Sequence, residues 1–406
     1  VTSRLARCAA ALAALAAATA AQEVMRGVVR TIDGRTLTGA FAVADGKATV
    51  TTDAGAVAVA VAEMTSFERA DAVAAVANAP HRVWLRSGFD LPAVAIGGAP
   101  AANGKPATLH FETPGGLVFD VPIGMVRAIR HAGKERPEPA MFQTDLEQPP
   151  SSEDVIYVLK DGVAQRSSVT LTSLTRERID FLLRGTAYEF AFSGVAAIVF
   201  GASTGFPPDR QPRPRTRVLL TTGEQVEGCL LRADGTGAVV RIDEGAEIRV
   251  KPANLLSLQV ASDRLAWLSE LKPKIEQTPA FDRVWPCTFD RTPVGPAIVL
   301  GGKTYARGVC MVPRARLTYD LGGRYDVFEA TIGIDDRGGP EAHALLRVLV
   351  DGNVVFDSGP RTRGLVPQAV RIELHKCKTL AIEADFGKNY DLGDLCVFAD
   401  ARVVQQ

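Results

Sequence analysis

What this chain lacks is the usual equipment of catalysis and of polyanion binding. Forty-six Lys and Arg residues are balanced by forty-six Asp and Glu over 406 positions. No net field is left to hold a nucleic acid or an anionic membrane surface. The five histidines, His81, His110, His131, His343 and His375, have no metal-ligand spacing, and neither H-E-x-x-H nor a P-loop occurs. No two cysteines stand at the C-x-x-C spacing of a zinc or redox site. No stretch reaches the roughly 18 uninterrupted apolar residues of a membrane-crossing helix, which argues against a transmembrane segment in the mature chain.

The first residues, VTSRLARCAAALAALAAATAAQE, place Arg4 and Arg7 before an Ala/Leu run from Ala9 to Ala18, with small residues at Ala20 and Ala21. That order is the pattern of a secretory signal, so residues 1–21 are expected to be a signal peptide and the protein to be secreted, periplasmic or extracellular. Cys8 precedes the apolar run and so cannot carry a lipid at the cleavage point. Cys229, Cys287, Cys310, Cys377 and Cys396 remain. The last four allow three disulfide connectivities, or they serve as buried thiols.

Four segments share one plan of short apolar strands, with a turn glycine at Gly34, Gly88, Gly162 or Gly223 and a closing apolar position at Phe67, Ile129, Ile198 or Leu258. A unit recurring at this spacing is a repeated supersecondary structure. The expectation is four small all-β modules, over 24–70, 80–131, 153–200 and 216–260, similar in outline to SH3-like or Sm-like barrels. Asp33-Gly34 and Asp161-Gly162 are hairpin dipeptides. Trp84 and Phe111 stand at alternating strand positions that read as core more readily than as a groove. Residues 132–152 and 201–215 are rich in proline and charge and read as linkers. The stretch Arg264 to Gln277 reads as a short helix stopped by Pro273.

From 263 to 404, seven strand-like runs follow one another with Gly and Asp in their turns, the pattern of two packed antiparallel sheets, a jelly-roll sandwich. Five segments carry a resemblance: LSEL (Leu268 to Leu271), GGKTYARGV (Gly301 to Val309), LTYDLGGRYDVFEATIGIDD (Leu317 to Asp336), LRVLVDGNVVFDSG (Leu346 to Gly359) and FADARV (Phe398 to Val403). In order and spacing this third of the chain resembles the NPCBM family. The resemblance implies a galactose-binding-like jelly roll that takes galactose-type or related glycans. The chain departs from the family at two positions: Val312 stands where members often have histidine, and Phe398 replaces the tryptophan of a closing W-A-D.

Arg307, Arg314, Arg316, Asp391 and Asp394 are residue types that engage sugar hydroxyls, and Tyr305, Tyr390 and Phe398 offer rings to a pyranose face. They are the candidate glycan-binding set. In GIDDRGG, Asp335 and Asp336 precede paired glycines, and adjacent strand residues point to opposite sides, so they read as turn residues rather than an acid/base pair. Jelly-roll sugar-binding domains often carry a structural Ca²⁺, which makes the same two carboxylates the candidate metal contacts, although no cofactor is required.

The small repeats leave no segment long enough for a separate catalytic barrel of about 250 residues. The sequence therefore reads as an exported, non-catalytic, carbohydrate-binding protein with a glycan or glycosylated surface as partner. Two rivals stand beside it: an envelope or extracellular scaffold that meets other envelope proteins and no longer binds sugar, and a glycoside hydrolase or its accessory part.

Overall fold

In the computed structural model, residues 24–406 are described, except 74, 76–77, 103–106, 132–137, 203–204, 206, 281–282 and 296. The expected signal peptide and the start of the first expected linker lie outside the described residues.

The first repeat shows how its sequence makes its fold. Strands Arg26–Thr31, Thr36–Ala44, Lys47–Thr52 and Gly55–Ala60 are joined by tight turns, then a 3₁₀ turn, Val61–Glu63, leads to a closing strand, Met64–Arg69. The second hairpin turns on Asp45 and Gly46, both at positive φ, the backbone that matches the twist of its flanking strands. The closing strand returns to the first, with Val29 opposite Phe67. The other repeats end the same way, with 3₁₀ turns at Ile123–Met125, Phe192–Gly194 and Pro252–Asn254 before closing strands Val126–His131, Val195–Val199 and Leu255–Ala261. Each closing strand lies antiparallel to the first strand of its own repeat. In the first, third and fourth repeats the pairing runs closing, first, second, third, fourth, and no described pairing joins the fourth strand back to the closing one. The second repeat breaks its meander at Val94, so Asp90–Ala93 and Ala95–Ala99 fall in separate sheets.

The repeats are not beads on a string. The closing strand of the first pairs with that of the fourth, Phe67 opposite Leu258, and makes a ten-stranded sheet. The second pairs likewise with the third, Ile129 opposite Ile198, and makes an eight-stranded one. One hydrophobic core runs from Met25 to Val260 through all four. Phe111 lies inside it, stacked on Phe119, and Trp84 packs on Phe142, so neither lines a groove.

Two stretches expected as linkers are laid down on the repeats. Residues Phe142–Glu147 form a short helix that buries Phe142 and Leu146 against Tyr157 and Val199. Its Asp145 receives two hydrogen bonds from Arg166, at 2.7 and 2.9 Å. In the second stretch, the amides of Asp209 and Gln211 donate to the carbonyl and carboxylate of Asp243. Composition spoke for exposure, and a few apolar and charged anchors overrode it.

The C-terminal part is the expected two-sheet sandwich. One sheet orders Thr288–Phe289, Gly308–Met311, Cys396–Val404, Val327–Ile334 and Gln368–Glu373, with Leu265–Trp267 added beside Cys396–Val404. The other orders Lys274–Gln277, Ala315–Asp320, Thr379–Phe386, His343–Val350 and Asn353–Thr362. Their inner faces bury Met311, Leu317, Phe328, Ile382 and Phe398 among others. The short helix expected before Pro273, within the stretch Arg264 to Gln277, is absent; the stretch is instead two short strands around a 3₁₀ turn, Leu268–Glu270. Ala266 pairs with Val403, and that ladder with the burial of Trp267 outweighs the helical spacing. Among the described residues all five cysteines are free thiols; Cys310, Cys377 and Cys396 are buried, and burial pushes these three thiols above their ordinary range. No helix of the described residues is long and apolar enough to cross a membrane.

Candidate functional site

The strand Gly308–Met311 runs through the sandwich with an arginine beyond each end, Arg307 and Arg314. The two ends meet different surroundings, and they divide the candidate residues between them.

At the inner end the sandwich sits on the fourth repeat. Arg307 is 0% exposed; it donates to Glu227 of that repeat at 2.9 Å and to Glu270 at 2.5 Å, with its guanidinium over the Trp267 ring. Glu227 also receives Arg215 at 2.9 Å and Arg217 at 3.0 Å, and Arg217 reaches Asp290 of the sandwich. Burial pushes the Glu227 carboxyl up, but attraction to Arg307, Arg217 and Arg215 outweighs it and holds the group at about 2. The Trp267 indole donates to the Val260 carbonyl at 3.0 Å, fastening the same seam. The stretch GGKTYARGV, which holds the candidates Tyr305 and Arg307, is thus largely an interdomain contact, and Arg307 has no face for a ligand.

The adjacent acids serve this inner end too. Asp336 accepts the amides of Gly301 and Gly302, at 2.9 and 2.8 Å, and fixes the turn of the hairpin Ile298–Leu300 and Lys303–Tyr305. Asp335 is buried; it accepts the Val299 amide at 2.8 Å and is held by the Arg337 fork at 2.8 and 3.0 Å. A cation at Asp335 would have to displace that fork. Among the described residues no group of three or more His, Cys, Asp or Glu is placed to hold a metal ion.

Beside the hairpin, a cleft of about 240 Å³ opens between the sandwich and the first and fourth repeats, lined by Ser66, Ser257, Gln259, Lys303, Tyr305 and Asp400 among others. Tyr305 is mostly buried there, and burial pushes its hydroxyl up. Lys303 lies over its ring at 4.9 Å and pairs with Glu68 at 2.8 Å.

The outer end is open to solvent. Two hollows flank the Trp285 ring and share Arg283 and Val284: a slight one of about 10 Å³ against Val312, Pro313, Arg314 and Asp391, and an open one of about 360 Å³ against Thr288, Arg291 and Thr292. Arg283 stacks on the Trp285 ring at 3.8 Å, and Gln277 donates to the Trp285 carbonyl at 2.8 Å. Arg314 is held from behind by Asp385 at 2.8 Å and lies over Phe386. Burial pushes the Asp385 carboxyl up, and Arg314 and Arg347 bring it below its ordinary range. Tyr390, 60% exposed, meets the same Phe386 ring edge-on.

The remaining candidates lie elsewhere. Arg316 pairs with Glu383 at 2.7 Å, in a cluster on the outer face of the sheet where Arg347 bridges Glu383, Asp385 and Asp357. Phe398 is 0% exposed in the core, where the smaller ring packs between the sheets and faces no ligand. Asp394 is buried; one oxygen accepts the His343 amide at 2.7 Å and the other has no partner. Burial raises this carboxyl to about 6, with the Asp391 charge adding to the rise and the His343 contacts opposing it.

Of the candidate set, then, only Arg314 and Asp391 line one open hollow, with Tyr390 beside it. Trp285 was missed. It stands in an irregular segment next to Pro286, where an aromatic has no ladder to serve, and that setting was the signal for it. Gln259 and Glu227 were also missed, because a strand residue gives no sequence sign that its partner lies in another domain. The spelling G-x-S-x-G does occur at 201–205, but a nucleophile elbow joins a strand to a helix, and the described chain here runs on to the strand Arg215–Leu220. Ser203 itself lies outside the described residues.

Residues 264–404 match the family model of the NPCBM/NEW2 domain. A curated protein from Renibacterium salmoninarum, named "Putative endo-alpha-N-acetylgalactosaminidase", is 33% identical over 84 residues, which are 21% of this chain and 6% of that protein. Among solved structures, a CBM51 of a Clostridium perfringens GH95 in complex with methyl-galactose is similar at 26% identity, covering 34% of this chain and 99% of that one with a TM-score of 0.32. The tandem CBM51 modules of a Streptococcus pneumoniae family 98 glycoside hydrolase are similar at 11% identity, covering 80% and 88% with a TM-score of 0.32.

Proposed function

We propose that this is an exported, non-catalytic protein that binds carbohydrate through the outer rim of its C-terminal sandwich. One observation carries the reading: Trp285, Arg314 and Asp391 line one shallow depression of about 10 Å³ on the solvent-open rim of the NPCBM/NEW2 domain, a surface for a sugar to lie on rather than a pocket for it to enter. The combination suits a sugar. An indole edge or face covers the apolar side of a pyranose ring, a guanidinium donates to hydroxyl oxygens, and a carboxylate accepts from hydroxyls. Asp385 and Phe386 hold Arg314 before a ligand arrives, which lowers the ordering cost of binding. The family match points to a galactose-type or related glycan, and the leader-like pattern before residue 22 supports export. That Asp335 and Asp336 are occupied in turn formation supports binding over hydrolysis.

Calorimetric titration of the whole chain with galactosides, fucosides and cell-wall polymers tests this directly. Binding that is lost in Arg314→Ala and Asp391→Ala is the expected result, and silence across the panel overturns it. A second reading, a scaffold that meets envelope proteins, is favoured by the burial of Arg307 and Phe398 and by Val312 at the rim. Partner capture from native envelope that ignores glycosidase treatment would select it.

A further inference from the structure

The wider hollow beside Trp285 is left unused by the rim reading, and its charges are unbalanced. Arg283 and Arg291 both line it and are both exposed, and its lining holds no carboxylate. Elsewhere on the sandwich Arg316, Arg337, Arg347, Arg371 and Arg402 each pair with a carboxylate of the protein. Among the described residues neither Arg283 nor Arg291 has such a partner. Like charges that share one hollow repel, and an anion received there relieves the repulsion.

The two arginines are also held in place. Arg283 lies over the Trp285 ring at 3.8 Å. A guanidinium over an indole uses its face and keeps its N–H edges for a ligand. Arg291 is carried by a tied loop: the Thr288 hydroxyl donates to its carbonyl at 2.7 Å, and Thr292 and Gly295 exchange backbone hydrogen bonds at 3.1 and 3.3 Å. The preceding Asp290, at φ 58, accepts the Gly308 amide at 3.0 Å on one oxygen and Arg217 of the fourth repeat on the other. Asp290 is therefore committed to the seam rather than to Arg291. The hydroxyls of Thr288 and Thr292 are likewise committed, to the Arg291 and Gly295 carbonyls. What the hollow offers a ligand is positively charged donors.

We propose that this hollow receives the acid group, a carboxylate or a sulfate, of an acidic sugar whose ring lies on Trp285. The planar guanidinium fork suits such oxyanions. The sugar itself rests on the rim reading; the addition is a preference for acidic over neutral glycans. Trp285 sets the direction. Asp391 stands on its other side, where it repels an acid group and accepts from a hydroxyl. At about 360 Å³ the hollow has room for the acid end of one ring. The chain as a whole carries no net charge, so the preference is a local one.

The test titrates the whole chain with D-galactose, D-galacturonate and D-galactose 6-sulfate, and reads the ratio of acidic to neutral affinity. A ratio of about five or more is expected for at least one acid at low salt. It should fall toward one at about 0.5 M salt, which screens exposed charges. Arg291→Ala should bring the low-salt ratio close to one, and Arg291→Lys, which keeps the charge, should retain part of it. The acid with the larger ratio is the group the hollow takes. Acidic sugars bound no tighter than D-galactose overturn the inference, as does a preference that Arg291→Ala leaves intact. The two readings fail separately. If only the hollow fails, all three sugars bind alike and Arg314→Ala weakens all three. If only the rim fails, the acidic sugars alone bind, and Arg314→Ala and Asp391→Ala do not weaken them. No binding of any of the three overturns both.

Discussion

Arg307 and Arg314 flank the same four-residue strand, and one structure makes a beam of the first and an outstretched hand of the second. Arg307 has no exposed surface and two carboxylate partners, one from another domain; the Arg314 side chain is 55% exposed and leans on a single carboxylate from its own sheet. The difference lies in what was folded against each end. Glu227, 80 residues earlier in the chain, converts the inner arginine into an interdomain tie. The outer end meets only its own sandwich, the strand end at Asp385 and Phe386 and the loops beside it, and there the arginine stays more than half exposed.

That contrast is broken most severely at Glu227. Glu227→Ala leaves Arg215, Arg217 and Arg307 short of a shared counter-charge in a buried seam, and a loss of about 3–5 kcal/mol is expected in denaturant unfolding. Proteolysis between the fourth repeat and the sandwich should accelerate with it. Acid probes the same seam. The Glu227 carboxyl is depressed from an ordinary 4.5 to about 2, so its contribution is complete above pH 4.5 and is lost as pH falls through about 2. Unfolding followed across that window should show wild type losing stability that Glu227→Ala never had.

At the outer end the effects on stability shrink and those on binding take over. Arg314→Ala should cost under about 1 kcal/mol in unfolding, as an exposed pair does, while glycan affinity measured by calorimetry falls roughly tenfold or more. Asp394→Asn has the opposite sign. Its carboxyl is raised from 3.8 to about 6, so the folded protein binds the extra proton between those values and its stability declines as pH rises through about 6. The amide keeps the bond to His343 without the buried charge. Thermal unfolding at neutral pH should show a gain of about 1 kcal/mol after allowance for solvent screening, vanishing below pH 4.

The sequence carried the elements more plainly than their meetings. Asp161-Gly162 turns with both residues at positive φ, as a hairpin dipeptide should, and the alternation from Leu317 onward is the two-sheet sandwich. The pairing of Phe67 with Leu258 was not legible, because alternating residues on two distant strands specify a face and no partner. Phe142 hid in a proline-rich stretch, since one buried ring does not change a composition. Leu268 and Leu271 are spaced as in a helix, yet Trp267 is worth more in the core than a turn of helix is in water. For the site, residue type picked out Arg314 and Asp391, which line one depression on the open rim, and equally Arg307, which is buried, since a guanidinium reads the same in sequence whether it faces solvent or a carboxylate.

The most direct test compares glycan titrations of the whole chain in two variants, Arg314→Ala at the open end and Arg307→Met at the buried one. The account predicts that Arg314→Ala weakens rim binding roughly tenfold or more with little change in the unfolding midpoint, while Arg307→Met lowers the midpoint and leaves rim affinity intact. Loss of sugar binding in Arg307→Met at a temperature where it remains folded, with Arg314→Ala binding normally, would contradict it.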